Sequence, residues 1–361
     1  LARAMSCMPR FAGHTTRPYS VAQHSLWVSR HAPPELAMHA LLHDAPRAYM
    51  MDLLSPMKRS LYDYGALETK VLRGVHAQYG LDPDMAKCRM IAAIDDLALV
   101  AEWRDLVNAD LQEWWGVPPH LLSSLEPIEP MSQAQAERAF LDRFDELREG
   151  DARSQHARAT ETLARLRGWA APAQPYIITR SGKALDPLNP SPEAIAIEDI
   201  ALSLSRMPRF GGHTKTPYSV AEHSIFVANH VPPPLKLQAL LHDATETYLI
   251  DMLSPVKQLF PAYKQREQRL HRVILQAFGL PAESHKPQAI AEADRLSCQV
   301  EIRDLINDGG WVRHDRDLVR NEPPIVPMSQ ERACASFLAA FEAFRELAPR
   351  ARPRGPTERP H

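Results

Sequence analysis

Four residues of metal-ligating type occur in one order twice along the chain. They are His24, His43, Asp44 and Asp95, then His223, His242, Asp243 and Asp294. Neutral imidazoles with carboxylates make a mixed nitrogen and oxygen donor set. That set suits borderline divalent ions such as Zn²⁺, Mn²⁺, Fe²⁺ or Co²⁺ better than an all-oxygen cage would. The adjacent His and Asp impose a geometric condition. Neighbours on a helix point about 100° apart, so both reach one ion most easily at a helix end or a bend. Ala45-Pro46 supplies such a disturbance after the first pair. A lone His-Asp dipeptide is weak evidence of a site. All four residues recurring at one offset is much stronger, although recurrence speaks to duplication more directly than to use.

The offset is 199 positions, and far more than the ligands obeys it. Met8-Pro9-Arg10-Phe11 returns as Met207-Pro208-Arg209-Phe210, and Leu41-Leu42-His43-Asp44-Ala45 returns as Leu240-Leu241-His242-Asp243-Ala244. A period this long marks a duplicated domain rather than a solenoid. The expected organisation is a first copy over 1–150, a linker over 151–175, a second copy over 176–349 and a disordered tail over 350–361, rich in Pro and Arg. Residues 176–199 form the entry segment of the second copy. The first copy, opening at Leu1, has no counterpart and reads as a truncated start. A 45% hydrophobic fraction over 361 residues is enough for two ordinary cores. The net charge of −2 gives no global pull toward nucleic acid or anionic membrane, so an anionic substrate needs a local cationic cluster. No apolar run approaches the ~20 residues of a membrane-spanning helix. The four cysteines (Cys7, Cys88, Cys298, Cys334) make no C-x-x-C pair and read as free thiols of a cytoplasmic protein.

The elements that must position the ligands are helices punctuated by prolines, which predicts an all-α fold. Ser20 is the expected N-cap of a helix through His31, with Ser219 its counterpart. A second helix is expected from Glu35 to Tyr49 and a third after Ser55-Pro56. Further helices are expected over 85–107 and 132–148, and all of them repeat in the second copy. Tyr176-Ile177-Ile178-Thr179 is the one strand candidate, with Gly182 turning the chain back in a small hairpin.

Carried by Tyr218-Ser219-Val220-Ala221-Glu222-His223-Ser224, Leu241-His242-Asp243-Ala244-Thr245-Glu246, Asp251 with Ser254-Pro255-Val256-Lys257, and Glu292-Ala293-Asp294, the chain resembles the HD-domain metal-dependent phosphohydrolases. It is most similar to bacterial 5′-deoxynucleotidases and phage-type deoxynucleotide phosphohydrolases. The resemblance covers nearly all of both copies. It implies two tandem HD-domain helical bundles related by a pseudo-two-fold, each with a divalent ion (Mn, Co, Zn, Fe or Mg). Such an ion polarises a phosphate and lowers the pKa of a bound water. It also implies that Glu246, three residues after the HD aspartate, handles a proton of the reaction, and that Asp251 acts as a general acid or positions the water. The first copy has Arg47 in place of Glu246, and Gln23 in place of Glu222. An arginine stays charged and cannot serve as a base, so the second copy is expected to be the catalytic one.

Phosphate recognition needs cations and N–H donors near the ion. Arg209, His213, Lys257 and Arg303 are the candidates in the second copy, and Arg10, His14, Lys58 and Arg104 in the first. Phe210 and Tyr218 offer faces for a base or sugar, and Arg209-Phe210 resembles the Arg-aromatic pair that lines the sugar pocket in deoxynucleotidases. His31, His39, His76, His230, His271 and His285 have no motif around them and read as surface or core histidines. Trp114, Trp115 and Trp311 read as packing or interface residues. The expected activity is hydrolysis of a nucleotide phosphoester, a deoxynucleoside mono- or triphosphate in the first instance. The alternatives are a cyclic or signalling nucleotide phosphodiesterase, or a non-catalytic nucleotide-binding regulatory module. The partners expected are a small phosphoester and the other half of the same chain, with no membrane and no nucleic acid polymer.

Overall fold

The computed structural model describes residues 1–84, 88–108, 122, 125–150, 176–281, 287–306 and 315–348. The predicted linker, the predicted tail, Trp114, Trp115, Trp311 and His285 lie outside them. The described chain is mostly helical, and its one sheet is a two-stranded antiparallel hairpin, Ile177–Ile178 with Ala184–Leu185. Gly182 turns that hairpin with φ +84°. No helix of the described residues is long and apolar enough to cross a membrane.

Sequence and element order repeat together. Val21–His31 and Val220–Asn229 are matched helices, each started by a serine hydroxyl, Ser20 or Ser219, that accepts from the main chain three residues on. Capping of this kind satisfies an amide that the first turn leaves without a partner. Arg89–Leu106 matches Gln288–Leu305, and Gln133–Glu149 matches Gln330–Arg345. The predicted helix from Glu35 to Tyr49 is instead three pieces: a 3-10 turn Pro34–Leu36, a helix Ala37–Leu42 and a short helix Arg47–Met50. The break falls on His43-Asp44-Ala45-Pro46. The second half breaks at the same place, where Thr245 replaces the proline. Pro46 is therefore not the cause of the bend, which comes with the turn itself.

The largest apolar core runs through both halves. It joins Met5, Met8 and Met51 to Leu204, Met207 and Ile250 without interruption. Contacts between the halves are reciprocal. Ala2–Cys7 packs on the turn Arg209–Gly212, and Ile197–Arg206 packs on the turn Arg10–Gly13. In both turns the residue after the arginine is left-handed, Phe11 and Phe210 each at φ 53°. Approach there is close enough to exclude a side chain. A Cβ on Gly212 would lie 2.8 Å from Cys7 Cβ, and one on Gly13 would lie 3.2 Å from Arg206 Cβ. A second apolar cluster sets Ile178 of the hairpin against Tyr19, Leu97 and Leu106 of the first half. The four cysteines are free thiols.

Candidate metal centres

Each half brings its predicted ligands to one point. His24 and His223 enter from the first turns of their helices, and Asp95 and Asp294 from the long helices opposite. The adjacent His and Asp come from the bend, where tighter turns with three-residue hydrogen bonds, such as Ala45 N–H to the Leu42 carbonyl and Ala244 N–H to the Leu241 carbonyl, replace the α-helical pattern. In the first half, His24 Nε2 lies 3.3 Å from His43 Nε2, 3.4 Å from Asp44 Oδ2 and 3.0 Å from Asp95 Oδ1. In the second half, His223 Nε2 lies 3.3 Å from His242 Nε2, 3.4 Å from Asp243 Oδ2 and 3.2 Å from Asp294 Oδ1.

The far side of each imidazole fixes what the near side offers. The Nδ1 atoms of His24 and His223 face Glu102 and Glu301 at 2.5 and 2.7 Å. Those of His43 and His242 face the carbonyls of Ala40 and Ala239, each at 2.7 Å. Each Nδ1 therefore donates its N–H outward, which leaves the Nε2 lone pairs aimed at one another and at two carboxylates. In the second half four acceptors converge with no donor between them, which fits a divalent cation, and in the first the same four converge with Arg47 reaching Asp44. The set is that of a borderline metal. The groups geometrically able to hold an ion are His24, His43 and Asp95 in one half and His223, His242 and Asp243 in the other. The same demand for positive charge appears in the titration behaviour. Burial opposes the charged form of His24, but Glu102 and Asp95 outweigh it and hold this imidazole up at about 9. Burial likewise works against ionised Asp294, yet His223 and His242 keep it well below the usual carboxylate range.

Glu102 and Glu301, which the sequence reading missed, stand directly behind the candidate ligands. Both are fully buried. Each binds a ligand histidine through one oxygen and an arginine through the other, Arg10 at 2.9 Å and Arg209 at 3.1 Å. They stand 199 positions apart, two helical turns after Asp95 and Asp294, and that spacing was the available signal.

Several predicted substrate residues are placed elsewhere. Arg10 and Arg209 are committed to these glutamates and to Asp52 and Asp251, at 3.4 and 3.3 Å, behind the ligand set. His14 and His213 leave the site altogether. Each donates from Nε2 to a carbonyl of the opposite half, His14 to Thr247 at 2.9 Å and His213 to Ala48 at 2.8 Å. Arg104 and Arg303 tie down carbonyls such as those of Leu125 and Glu322, and pair with the neighbouring Asp105 and Asp304. Tyr218 is buried beside Glu301, and Phe210 lies under the Arg209 guanidinium, 5.4 Å from its carbon. Gln23 and Glu222 hold the amides of Met131 and Met328 at 2.9 and 2.6 Å, so their difference lies outside the ligand set. Lys58 and Lys257 remain beside the sites, paired with Glu68 and Glu267.

The halves differ most after the HD pair. Arg47 Nη1 sits 2.8 Å from Asp44 Oδ2 and 2.9 Å from Asp52 Oδ1, so a permanent cation competes for the Asp44 carboxylate. In the second half Glu246 is 3% exposed, and its Oε2 meets no hydrogen-bond partner among the described residues. Burial, then Asp251 and Asp243, push its carboxyl well above the usual range, against the pull of Lys257 and Arg209. A buried carboxyl with a free oxygen can hold or release a proton. A guanidinium cannot.

No protein-family model matches the chain. It is 36% identical over 176 residues to "Uncharacterized protein YfdR" of Escherichia coli (strain K12), a match that takes in 97% of that relative and 48% of this chain. It is 37% identical over 155 residues to "Uncharacterized protein RCAP_rcc00048" of Rhodobacter capsulatus, across 78% of that relative and 40% of this chain. Matches of about half this chain to most of a relative agree with a unit present twice here.

Proposed function

The chain belongs to the family of YfdR, and from the geometry of its two sites we propose that it is a divalent-metal-dependent phosphohydrolase of the HD-domain type acting on nucleotides. In this reading its two halves are tandem HD bundles related by a pseudo-two-fold, and its second half is the catalytic one. The observation that carries the reading is the outward locking of both Nδ1 atoms in each half, which turns two imidazoles and two carboxylates into a convergent acceptor set. The reciprocal contacts between residues at one offset support the pseudo-two-fold.

His223, His242, Asp243 and Asp294 would hold the ion in the second half. When bound, a divalent ion there polarises a phosphoryl oxygen and lowers the pKa of water toward neutrality. Glu301 keeps His223 in the correct tautomer, and the Ala239 carbonyl does the same for His242. Glu246 manages the proton: water's oxygen bonds to phosphorus, the ester P–O bond breaks, and the Glu246 carboxyl exchanges a proton with the attacking or leaving oxygen. Lys257, whose charge acts on both Glu246 and Asp251, holds the phosphate. Arg209 fixes Asp251 and Glu301 rather than touching substrate.

The test is product analysis on deoxy- and ribonucleoside mono-, di- and triphosphates and cyclic nucleotides with Mn²⁺, Co²⁺, Zn²⁺ or Mg²⁺. Inorganic phosphate or polyphosphate released from a non-cyclic nucleotide, and abolished by chelation, is expected. Turnover of cyclic nucleotides alone would replace this reading with a phosphodiesterase, and no turnover of any member would remove it.

A further inference from the structure

The proposed reaction leaves the first half without a task, and its cavity is built differently. The His43-Asp44 site opens into a cavity of about 380 Å³, within the size range of small-molecule sites. Its charged lining is three cations, Arg47, Lys58 and Arg89, against three carboxylates, Asp44, Glu68 and Asp95. At the same positions the second half has one cation, Lys257, against four carboxylates, Asp243, Glu246, Glu267 and Asp294, with Gln288 in place of Arg89. One register thus differs by three units of charge, in the direction that favours an anion.

Two buried histidines complete the wall. His39 and His76 meet edge to face with centroids 5.0 Å apart and are 9% and 1% exposed. Among the described residues no ring nitrogen of either makes a hydrogen bond of good geometry, and the Asp82 main chain lies close to both. Burial of both rings at a cavity wall without firm partners is costly unless something supplies them. Their counterparts are Gln238 and Leu275, so this is a feature of the first half alone. Burial holds His76 down at about 4, which makes it a neutral hydrogen-bonding group rather than a charge.

We propose that the first half binds a small phosphate-bearing anion, of the class to which the second half's substrate or product belongs, and does not hydrolyse it. Arg47 pairs with both Asp44 and Asp52 and offsets part of the repulsion an incoming anion would meet. Arg89 stands exposed with no ion pair among the described residues. Where the second half has the proton-handling Glu246, the first has a group that never titrates near neutrality. The inference rests on the second half being the hydrolase.

The experiment counts bound inorganic pyrophosphate per full-length chain by calorimetric titration with Mn²⁺, in a Glu246→Gln background that suppresses turnover. Two sites per chain are expected. Arg89→Gln with His76→Leu installs the residues the second half already tolerates at these positions. It should weaken one site tenfold or more and leave the other unchanged. Arg89→Gln alone, an exposed change that cannot disturb the core, should weaken the same site by a smaller factor. One site in the parent chain, or two sites unaffected by both variants, overturns the proposal. Two sites falling to one in a chain whose parent hydrolyses no nucleotide would instead sink the hydrolase reading and keep the anion site.

Discussion

His223 can offer Nε2 to a metal because Glu301 accepts the hydrogen bond from its Nδ1–H, and Glu301 in turn is held by Arg209 and by the Ser297 hydroxyl at 3.0 Å. Partners of this kind set the tautomer and basicity of a ligand histidine, and losing one costs about 10- to 100-fold in metal affinity. Glu301→Gln should therefore weaken Mn²⁺ binding in the second half by about that factor while the first half keeps its affinity. A metal titration of the variant checks this, and an unchanged affinity would remove Glu301 from the site. The convergence of the eight residues was legible in the sequence because four residue types recur in order at one offset. Glu102 and Glu301 obeyed the same offset but passed as ordinary helix carboxylates, since periodicity does not show that a residue is fully buried. His14 and His213 were misplaced for a related reason. Residue type names a donor, and only the tertiary arrangement shows which acceptor it meets.

Among the elements, the short helices after each HD pair end in backbone that side chains rarely adopt. Met51 and Ile250 both have φ 67°, with ψ 166° and 157°. Conformations of this kind cost of order 1–3 kcal/mol and persist when their surroundings enforce them. The enforcing group is a tyrosine hydroxyl. Tyr263 sits 2.8 Å from the carbonyls of both Leu249 and Ile250, and Tyr64 holds Met50 and Met51 in the same way. Asp251 follows directly and pairs with Arg209 at 3.3 Å. Tyr263→Phe should cost about 1–3 kcal/mol by leaving buried carbonyls unsatisfied. Denaturant unfolding reads the loss, and turnover should fall as well if Asp251 is displaced. The helix through His31 and its serine cap were readable from the sequence, because capping chemistry is local. The break at His43-Asp44 was readable only as a geometric demand, and the proline offered as its cause is absent from the second half. Pro46→Thr should accordingly keep the bend.

At the scale of the whole molecule, each half braces the other's HD segment. His14 reaches the carbonyl one residue past Glu246, and His213 reaches the one beside Arg47. Around these bonds the apolar core is shared, so the halves are not expected to behave as separable domains. Residues 176–361 expressed alone would expose the turn Arg209–Gly212 and half of that core, and should aggregate or self-associate. A soluble, monomeric, fully active fragment in a sizing experiment would contradict the shared core. Gly212→Ala probes the same interface in the intact chain. The glycine has φ +77°, and the added Cβ would lie 2.8 Å from Cys7 Cβ. Overpacking of this kind costs about 1–3 kcal/mol, and thermal unfolding should show a corresponding fall in midpoint. Duplication was plain in the sequence, whereas the reciprocal packing of the copies depends on pairs some 200 positions apart that no local pattern reveals.

The central claim is that the second half carries the chemistry and the first does not. Phosphate release by the full chain with Mn²⁺, compared between Glu246→Gln and Asp44→Asn, tests it most directly. The account predicts a loss of about 10²-fold or more for Glu246→Gln, the range in which positioned acid–base groups act, and a nearly unchanged rate for Asp44→Asn. Loss in Asp44→Asn with activity retained in Glu246→Gln would assign the chemistry to the wrong half and contradict the account.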